Sequence, residues 1–183
     1  MRYTLSKTIV FVGLMGAGKT AVGRLVAQEL GVAFVDSDEE IVKAANMSIT
    51  EIFQRDGEAF FRQKESQILD RLLDGPPCIL STGGGVYMKE ENRALISKKG
   101  MALWLRVDLN LLWKRVKNKN TRPLLQVADP KAKLTELHTE RTPYYAKADL
   151  IVDSEINISL DDMTEKCINS LLNNPLSGVS KEE

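Results

Sequence analysis

Residues 8–20 read Thr-Ile-Val-Phe-Val-Gly-Leu-Met-Gly-Ala-Gly-Lys-Thr, and the order of events in that stretch decides the fold. The β-branched and aromatic run at 8–12 predicts a short strand buried on both faces. Gly13 to Gly18 break the run. Val22, Leu25, Val26 and Leu30 then recur at helical spacing up to Gly31, which predicts a helix over 19–30. Gly13, Gly18, Lys19 and Thr20 fill every fixed position of the phosphate-loop pattern G-x-x-x-x-G-K-[ST], between a strand and a helix as the pattern requires. Glycines let such a loop turn its N–H groups inward, and the helix adds the positive end of its dipole. The expected nucleotide-binding residues are therefore Gly16, Ala17, Gly18, Lys19, Thr20 and Ala21. Lys19 reaches the β- and γ-phosphates, and the Thr20 hydroxyl joins the shell of a Mg²⁺ ion.

Outward from this loop, strands alternate with helices. A second strand is predicted over 32–35, a third over 78–80, a fourth over 101–107 and a fifth over 150–152. Helices are predicted to start at 38 and 48 and to run over 58–73, 90–98, 109–116, 133–147 and 160–172. Ser48 and Glu51 form a capping box, Gly57 interrupts, and Pro143 implies a kink or a late start. The polar stretch 117–130 reads as a mobile loop and 174–183 as a disordered tail. Alternation of this kind predicts a parallel α/β sheet in a single domain over 1–173. The helical stretch 37–73 is longer than a crossover needs, which leaves room for a second ligand.

Twenty-five basic and 25 acidic residues among 183 give no net formal charge, so no global field recruits nucleic acid or an anionic membrane. Two cysteines, Cys78 and Cys167, make neither a disulfide framework nor a zinc site. Cys78 lies in an apolar run and reads as a buried free thiol. No apolar stretch approaches the ~20 residues of a membrane span, and no targeting segment precedes the first strand. The expected location is the cytoplasm.

The third predicted strand runs into Ser81-Thr82-Gly83-Gly84-Gly85 without an acid. The carboxylates expected at the phosphates are instead Asp36 and Asp38, after the second strand. Carboxyl ends of adjacent parallel strands share one edge, so Asp36 is placed to serve the metal and Asp38 to take or orient a hydroxyl proton. N-capping of the next helix is the competing role for both. Three consecutive glycines cost chain entropy, which close approach of a ligand to the backbone would explain.

With these residues in hand, the chain resembles the shikimate kinases. The resemblance rests on the phosphate loop at 13–20, Asp36 and Asp38, Phe60-Phe61-Arg62 with Glu65, and the glycines at 83–85. It rests further on Thr121-Arg-Pro-Leu-Leu125 and on Arg141-Thr-Pro-Tyr-Tyr145 followed by Ala148-Asp149. It spans about 8–153. It implies a three-layer αβα phosphate-loop fold, its five-stranded parallel sheet ordered 2-3-1-4-5, with a substrate-binding helical region at about 37–73 and a lid at about 117–130. It also implies transfer of a phosphoryl group from ATP to shikimate, with Mg²⁺, in aromatic amino acid biosynthesis. Asp38, Arg62, Gly84 and Arg141 would hold shikimate, Arg122 would close over the phosphates, and Arg115 would lie against the adenine. The chemistry agrees. A hydroxylated monoanion needs guanidinium forks, here Arg62 and Arg141, and an acceptor, here Asp38. Glu65 can orient Arg62, Gly83 and Gly85 flank the ligand, and Phe53 and Phe61 can wall its ring. The expected protein is a monomer with no macromolecular partner.

Two features stay outside this scheme. Residues 154–158, where the adenine loop is implied, carry no distinctive pattern. His138, the one histidine, has no expected role beyond a solvated helix position. Competing readings are a kinase for another polyol acid such as gluconate, a nucleotide sensor, and a nucleotide-hydrolysing switch. The arginine pair argues against the first, Arg122 and Asp38 against the second, and the missing acid after strand three against the third.

Overall fold

The computed structural model describes residues 2–120 and 122–182; Met1, Glu183 and Thr121, the first residue of the 121–125 motif, lie outside the described residues. In chain order the elements are β1 (Arg2–Leu5), β2 (Thr8–Val12), α1 (Lys19–Leu30), β3 (Phe34–Asp36), α2 (Ser37–Ala45), α3 (Ile49–Leu73) and β4 (Ile79–Ser81). There follow α4 (Glu90–Lys99), β5 (Gly100–Val107), α5 (Leu109–Val116), α6 (Pro130–Tyr145), β6 (Leu150–Ser154), α7 (Leu160–Leu172) and β7 (Val179–Glu182). Five strands form a parallel sheet in the order β3-β4-β2-β5-β6, which is the expected 2-3-1-4-5 once β1 is set aside.

β2 is central and buried along its whole length. Ile9, Val10, Phe11 and Val12 expose at most 1% of their surface. Each such side chain contributes about 1.5–3 kcal/mol of hydrophobic stabilisation. The edge register aligns Phe11 with Ser81, Asp36 with Ser81, Val12 with Trp104 and Val107 with Ser154. The segments that follow all five strands therefore emerge at one carboxyl edge.

The helical stretch between β3 and β4 carries an apolar cluster of its own: Ile41, Ile52, Phe61 and Ile68, apart from the core around the sheet. Its capping box is present in full: Glu51 N–H donates to Ser48 Oγ at 3.1 Å, and Ser48 N–H to Glu51 Oε2 at 2.7 Å. Gly57 adopts φ 84°, ψ 171° and separates two helical halves of α3.

Four sequence expectations change. The described part of the expected tail, residues 174–182, is not loose: β7 pairs antiparallel with β1, Leu5 opposite Val179 and Arg2 opposite Glu182. Ser177 and Val179 are buried there. The stretch 117–130 holds a 3₁₀ turn at Pro123–Leu125, and the Leu125 side chain enters the main core. α6 starts at Pro130 because Asp129 caps it, accepting from Ala132 N–H at 3.0 Å, so Pro143 falls inside its last turn. His138 is half-buried beside Trp104 and Tyr145 rather than solvated. Cys78 is a buried free thiol, as is Cys167.

Candidate active site

The phosphate loop takes the shape its glycines permit. Gly13, Gly16 and Gly18 have φ of 143°, 81° and 93°. At Gly16 a Cβ would also lie 2.7 Å from a Val116 methyl group. Lys19, the first residue of α1, is folded back over the loop. Its Nζ donates to the carbonyls of Gly13 (2.6 Å) and Leu14 (3.0 Å). Burial, and then the nearby Arg122 cation, bring its pKa down to about 8.

That value predicts a proton linkage. A bound triphosphate favours the charged ammonium, so binding a nucleotide at pH 8 takes up about half a proton at Lys19. Calorimetry of ADP binding in buffers of different ionisation enthalpy is expected to show uptake at pH 8 that fades by pH 6. Proton release at pH 8 would contradict the linkage.

Asp36 ends β3 and has two jobs. Oδ1 caps α2, accepting from the N–H groups of Asp38 (2.9 Å) and Glu39 (3.3 Å). Oδ2 accepts from the Thr20 hydroxyl at 3.1 Å. The cap and the phosphate loop are thus joined through one carboxylate. Asp38 does not cap; it lies in the first turn of α2 with Oδ1 buried and unpartnered. Burial, then the charge of Asp36, raise its pKa. Glu65, on α3, is buried to 1% exposure and its pKa is also raised, chiefly by burial.

The glycine run after β4 has a steric reason that the sequence does not disclose. A Cβ on Gly83 would sit 3.0 Å from Glu65 Oε2 and 3.1 Å from Asp38 Oδ1. One on Gly84 would lie 2.8 Å from Arg141 Nη1, and one on Gly85 would overlap the Arg62 guanidinium. None of the three has a positive φ. Two carboxylates and two guanidinium groups therefore converge on this turn, and a side chain on Gly84 or Gly85 would displace the charged end of Arg141 or Arg62. Thr82 holds the turn beside β2 by donating its hydroxyl to Phe11 O at 2.8 Å.

Arg62 donates Nη1 to both Glu65 oxygens (3.0 and 3.2 Å) and Nη2 to Glu58 (3.3 Å). Arg141 is buried on α6, next to Tyr145. The Tyr145 hydroxyl donates to Gly84 O at 2.5 Å, and burial pushes its pKa up to about 12. Phe53 and Phe61 pack at a tilt of 43° with ring centres 4.8 Å apart. Asp149 accepts from Ala102 N–H at 2.7 Å and so ties the end of α6 to β5. Arg115 donates to the loop carbonyls of Gly16 (3.0 Å) and Ala17 (3.4 Å) and to Ser154 Oγ (3.3 Å). Its guanidinium buttresses the phosphate loop while lining the same cavity.

Two cavities meet here. The larger, about 540 Å³, runs along the phosphate loop from Asp36 and Ser81 to Arg115 and on to Ile158, Leu160 and Met163. The smaller, about 100 Å³, is bounded by Phe53, Phe61, Arg62, Glu65, Gly85 and Arg141. Met15, Asp38, Gly83, Gly84 and Arg122 border both. Arg122 stands at this junction with Nε buried and unpartnered. Every sequence-predicted site residue lines one of these cavities: Gly16 to Ala21, Asp36 and Arg115 the larger alone, Phe53, Phe61, Arg62, Gly85 and Arg141 the smaller alone, and Asp38, Gly83, Gly84 and Arg122 both. Ile158 falls in the stretch where the resemblance implies the adenine loop, whereas Met15, Leu160 and Met163 have no role in the sequence reading, and Tyr145 is named there only within the motif at 141–145. Of the 154–158 stretch, Ser154 at the end of β6 and Ile158 line the larger cavity.

The comparisons with known proteins agree with this geometry. The family model described as shikimate kinase matches residues 15–172. The shikimate kinase of Ruegeria pomeroyi is 58% identical over 167 residues, 91% of this chain and 86% of that protein. That of Cereibacter sphaeroides is 59% identical over 150 residues, 82% of this chain and 75% of that protein. Among solved structures, the shikimate kinase from Acinetobacter baumannii in complex with shikimate superposes with a TM-score of 0.88. It is 36% identical and the match covers 93% of this chain and 95% of that one. A gluconokinase from Sinorhizobium meliloti, at 16% identity and a TM-score of 0.52, shares the fold alone. The chain belongs to the shikimate kinase family.

Proposed function

We propose that this chain transfers the γ-phosphoryl group of ATP to the 3-hydroxyl of shikimate, giving ADP and shikimate 3-phosphate. One observation carries the reading: the phosphate-loop cavity and the arginine-flanked cavity share Asp38 and Arg122 in their walls. A phosphate on one side and a hydroxyl on the other would meet at a carboxylate and a cation, both with an unpartnered buried atom.

Phosphoryl transfer depends mostly on positioning and on neutralising charge spread over the moving group. The loop amides of Gly16 to Ala21, with Lys19 and Arg122, would surround the phosphates, and Arg115 with Ile158 and Leu160 would border the base. Arg62, Arg141 and the turn at Gly83–Gly85 would take the acid, with Phe53 and Phe61 against its ring. Asp38 Oδ1 would accept the attacking hydroxyl, and its raised pKa makes it a better proton acceptor. Closure of the 117–130 lid would bring Arg122 down and exclude water.

Mg²⁺ fits the donors present. Thr20 and Asp36 set one hydroxyl and one carboxylate at the mouth of the loop. No group of three or more carboxylate, His or Cys ligands occurs among the described residues. Mg²⁺ commonly uses one or two carboxylates plus substrate phosphates and water, not an all-protein cage. Held there, it would supply positive charge to the β- and γ-phosphates. We take the protein to work as a cytoplasmic monomer without nucleic-acid or membrane partners.

The test is ADP release with and without shikimate. Release should depend on shikimate and stay at background with gluconate; equal release without an acceptor would sink the reading. Arg62→Ala is expected to raise the KM for shikimate by about 10- to 100-fold, as loss of charge-assisted hydrogen bonds does, and to change the KM for ATP less than twofold. Arg62 also neutralises buried Glu65, so Arg62→Lys is the companion variant. It keeps the charge, loses the fork, and should show the same selective rise. Equal effects on both substrates would remove the clamp role.

A further inference from the structure

A further cavity of about 370 Å³ lies between α2 and α3, lined by a different face of α3 from the one that meets the acid cleft. Its size is in the range of small-molecule sites. Ile41, Met47, Ile52, Phe60 and Ile68 supply apolar lining, and Arg55, Lys64 and Arg71 add three cations. Arg55 pairs with Asp56 (2.9 Å) and Arg71 with Glu40 (3.1 Å). Lys64 differs. Its hydrogen bond goes to the neutral Gln67 amide oxygen (3.2 Å), and its Nζ stands 5.3 Å from the centre of the Phe60 ring. Among the described residues no carboxylate neutralises it.

We propose that this cavity is a second small-molecule site, for a planar aromatic ring bearing one carboxylate, and that its occupancy is felt by the acid substrate rather than by the nucleotide. The ring matches the Ala44, Ala45, Met47 and Phe60 lining, where burial removes apolar surface from water, over a floor of already buried Ile41, Ile52 and Ile68. A single negative charge matches the one cation left without an anionic partner. The coupling follows from the helices. α2 carries Asp38 in its first turn, and α3 carries Arg62 and Glu65, so an occupant seated between the two helices acts on the pair that frames the acid cleft. The phosphate loop and α7 do not border it. This second half rests on the acid cleft assigned above; the binding half does not.

The probe is naphthalene-2-carboxylate, titrated into the full chain with ¹³C-labelled isoleucine methyl groups. Saturable shifts at Ile41, Ile52 and Ile68 are expected, with Ile49, which lines the acid cleft, moving little. Shifts led by Ile49 would place the probe in the acid cleft and overturn the proposal, as would no saturable shift at millimolar probe. Lys64→Gln should weaken binding about five- to tenfold, the scale of one charge-assisted hydrogen bond. Naphthalene-2-methanol should bind as weakly to the unmodified chain; equal binding of alcohol and acid would overturn the charge argument. Saturating probe should change the KM for shikimate at least twofold and leave that for ATP unchanged. An unchanged KM with normal methyl shifts would overturn the coupling. If shikimate is not turned over at all, the methyl titration still decides the site.

Discussion

Lys19→Ala is expected to lower turnover about 10³-fold while the protein stays folded, the scale seen when a donor aimed at developing charge is deleted. The lysine is the only ammonium folded over the phosphate loop among the described residues, held 2.6 and 3.0 Å from the carbonyls of Gly13 and Leu14. Those contacts use the loop as a parking place. Arriving phosphate oxygens offer the ammonium a stronger partner, and burial makes each such contact worth more than in water. An alanine forfeits that gain. It also removes a cation whose charged form the empty fold disfavours, so the melting temperature should not fall by more than a few degrees. Coupled ADP detection and a thermal melt check both halves. Activity within tenfold of the parent would end the assignment of Lys19 to the transferring phosphate.

Asp38→Asn is the second large effect, a fall of about 10²- to 10⁴-fold in kcat with little change in the KM for ATP. Asparagine keeps the shape but cannot accept the proton, and its amide leaves the nearby cations without a counter-charge. The stability change should run the other way. Asp38 is buried near Asp36 and Glu65, and both burial and the Asp36 charge raise its pKa. Replacing the carboxylate relieves that cost, so the melting temperature should equal or exceed that of the parent. An unchanged rate would remove Asp38 as the base. A strongly lowered melting temperature would mean that the carboxylate is structural.

The phosphate loop, the alternation of strands and helices and the capping of α2 and α3 could be read from residues because local chemistry sets them, whereas the order of strands in the sheet came from the family resemblance. A glycine with positive φ, a capping box and a β-branched run each state their structure within a few positions. What escaped depends on chain segments far apart. The bareness of Gly84 and Gly85 leaves room for the guanidinium ends of Arg141 and Arg62, which arrive from α6 and α3. Tyr145 reaches Gly84 across 61 positions of sequence. The strand at Val179–Glu182 buries one side chain, Val179, among exposed Ser, Lys and Glu, too little apolar pattern to separate it from a tail. Asp36 reads as either a cap or a metal neighbour; one of its oxygens caps α2 and the other accepts from the Thr20 hydroxyl.

Among the described residues only Leu72 packs against both apolar clusters, the one around the sheet and the one formed by Ile41, Ile52, Phe61 and Ile68. Two cores with so narrow a join need not open together. Amide hydrogen exchange should therefore resolve two populations: deuterium entering 41–68 on a faster clock than β2 and β5, and slowing there, but not in the sheet, once an acid bridges Asp38 and Arg62.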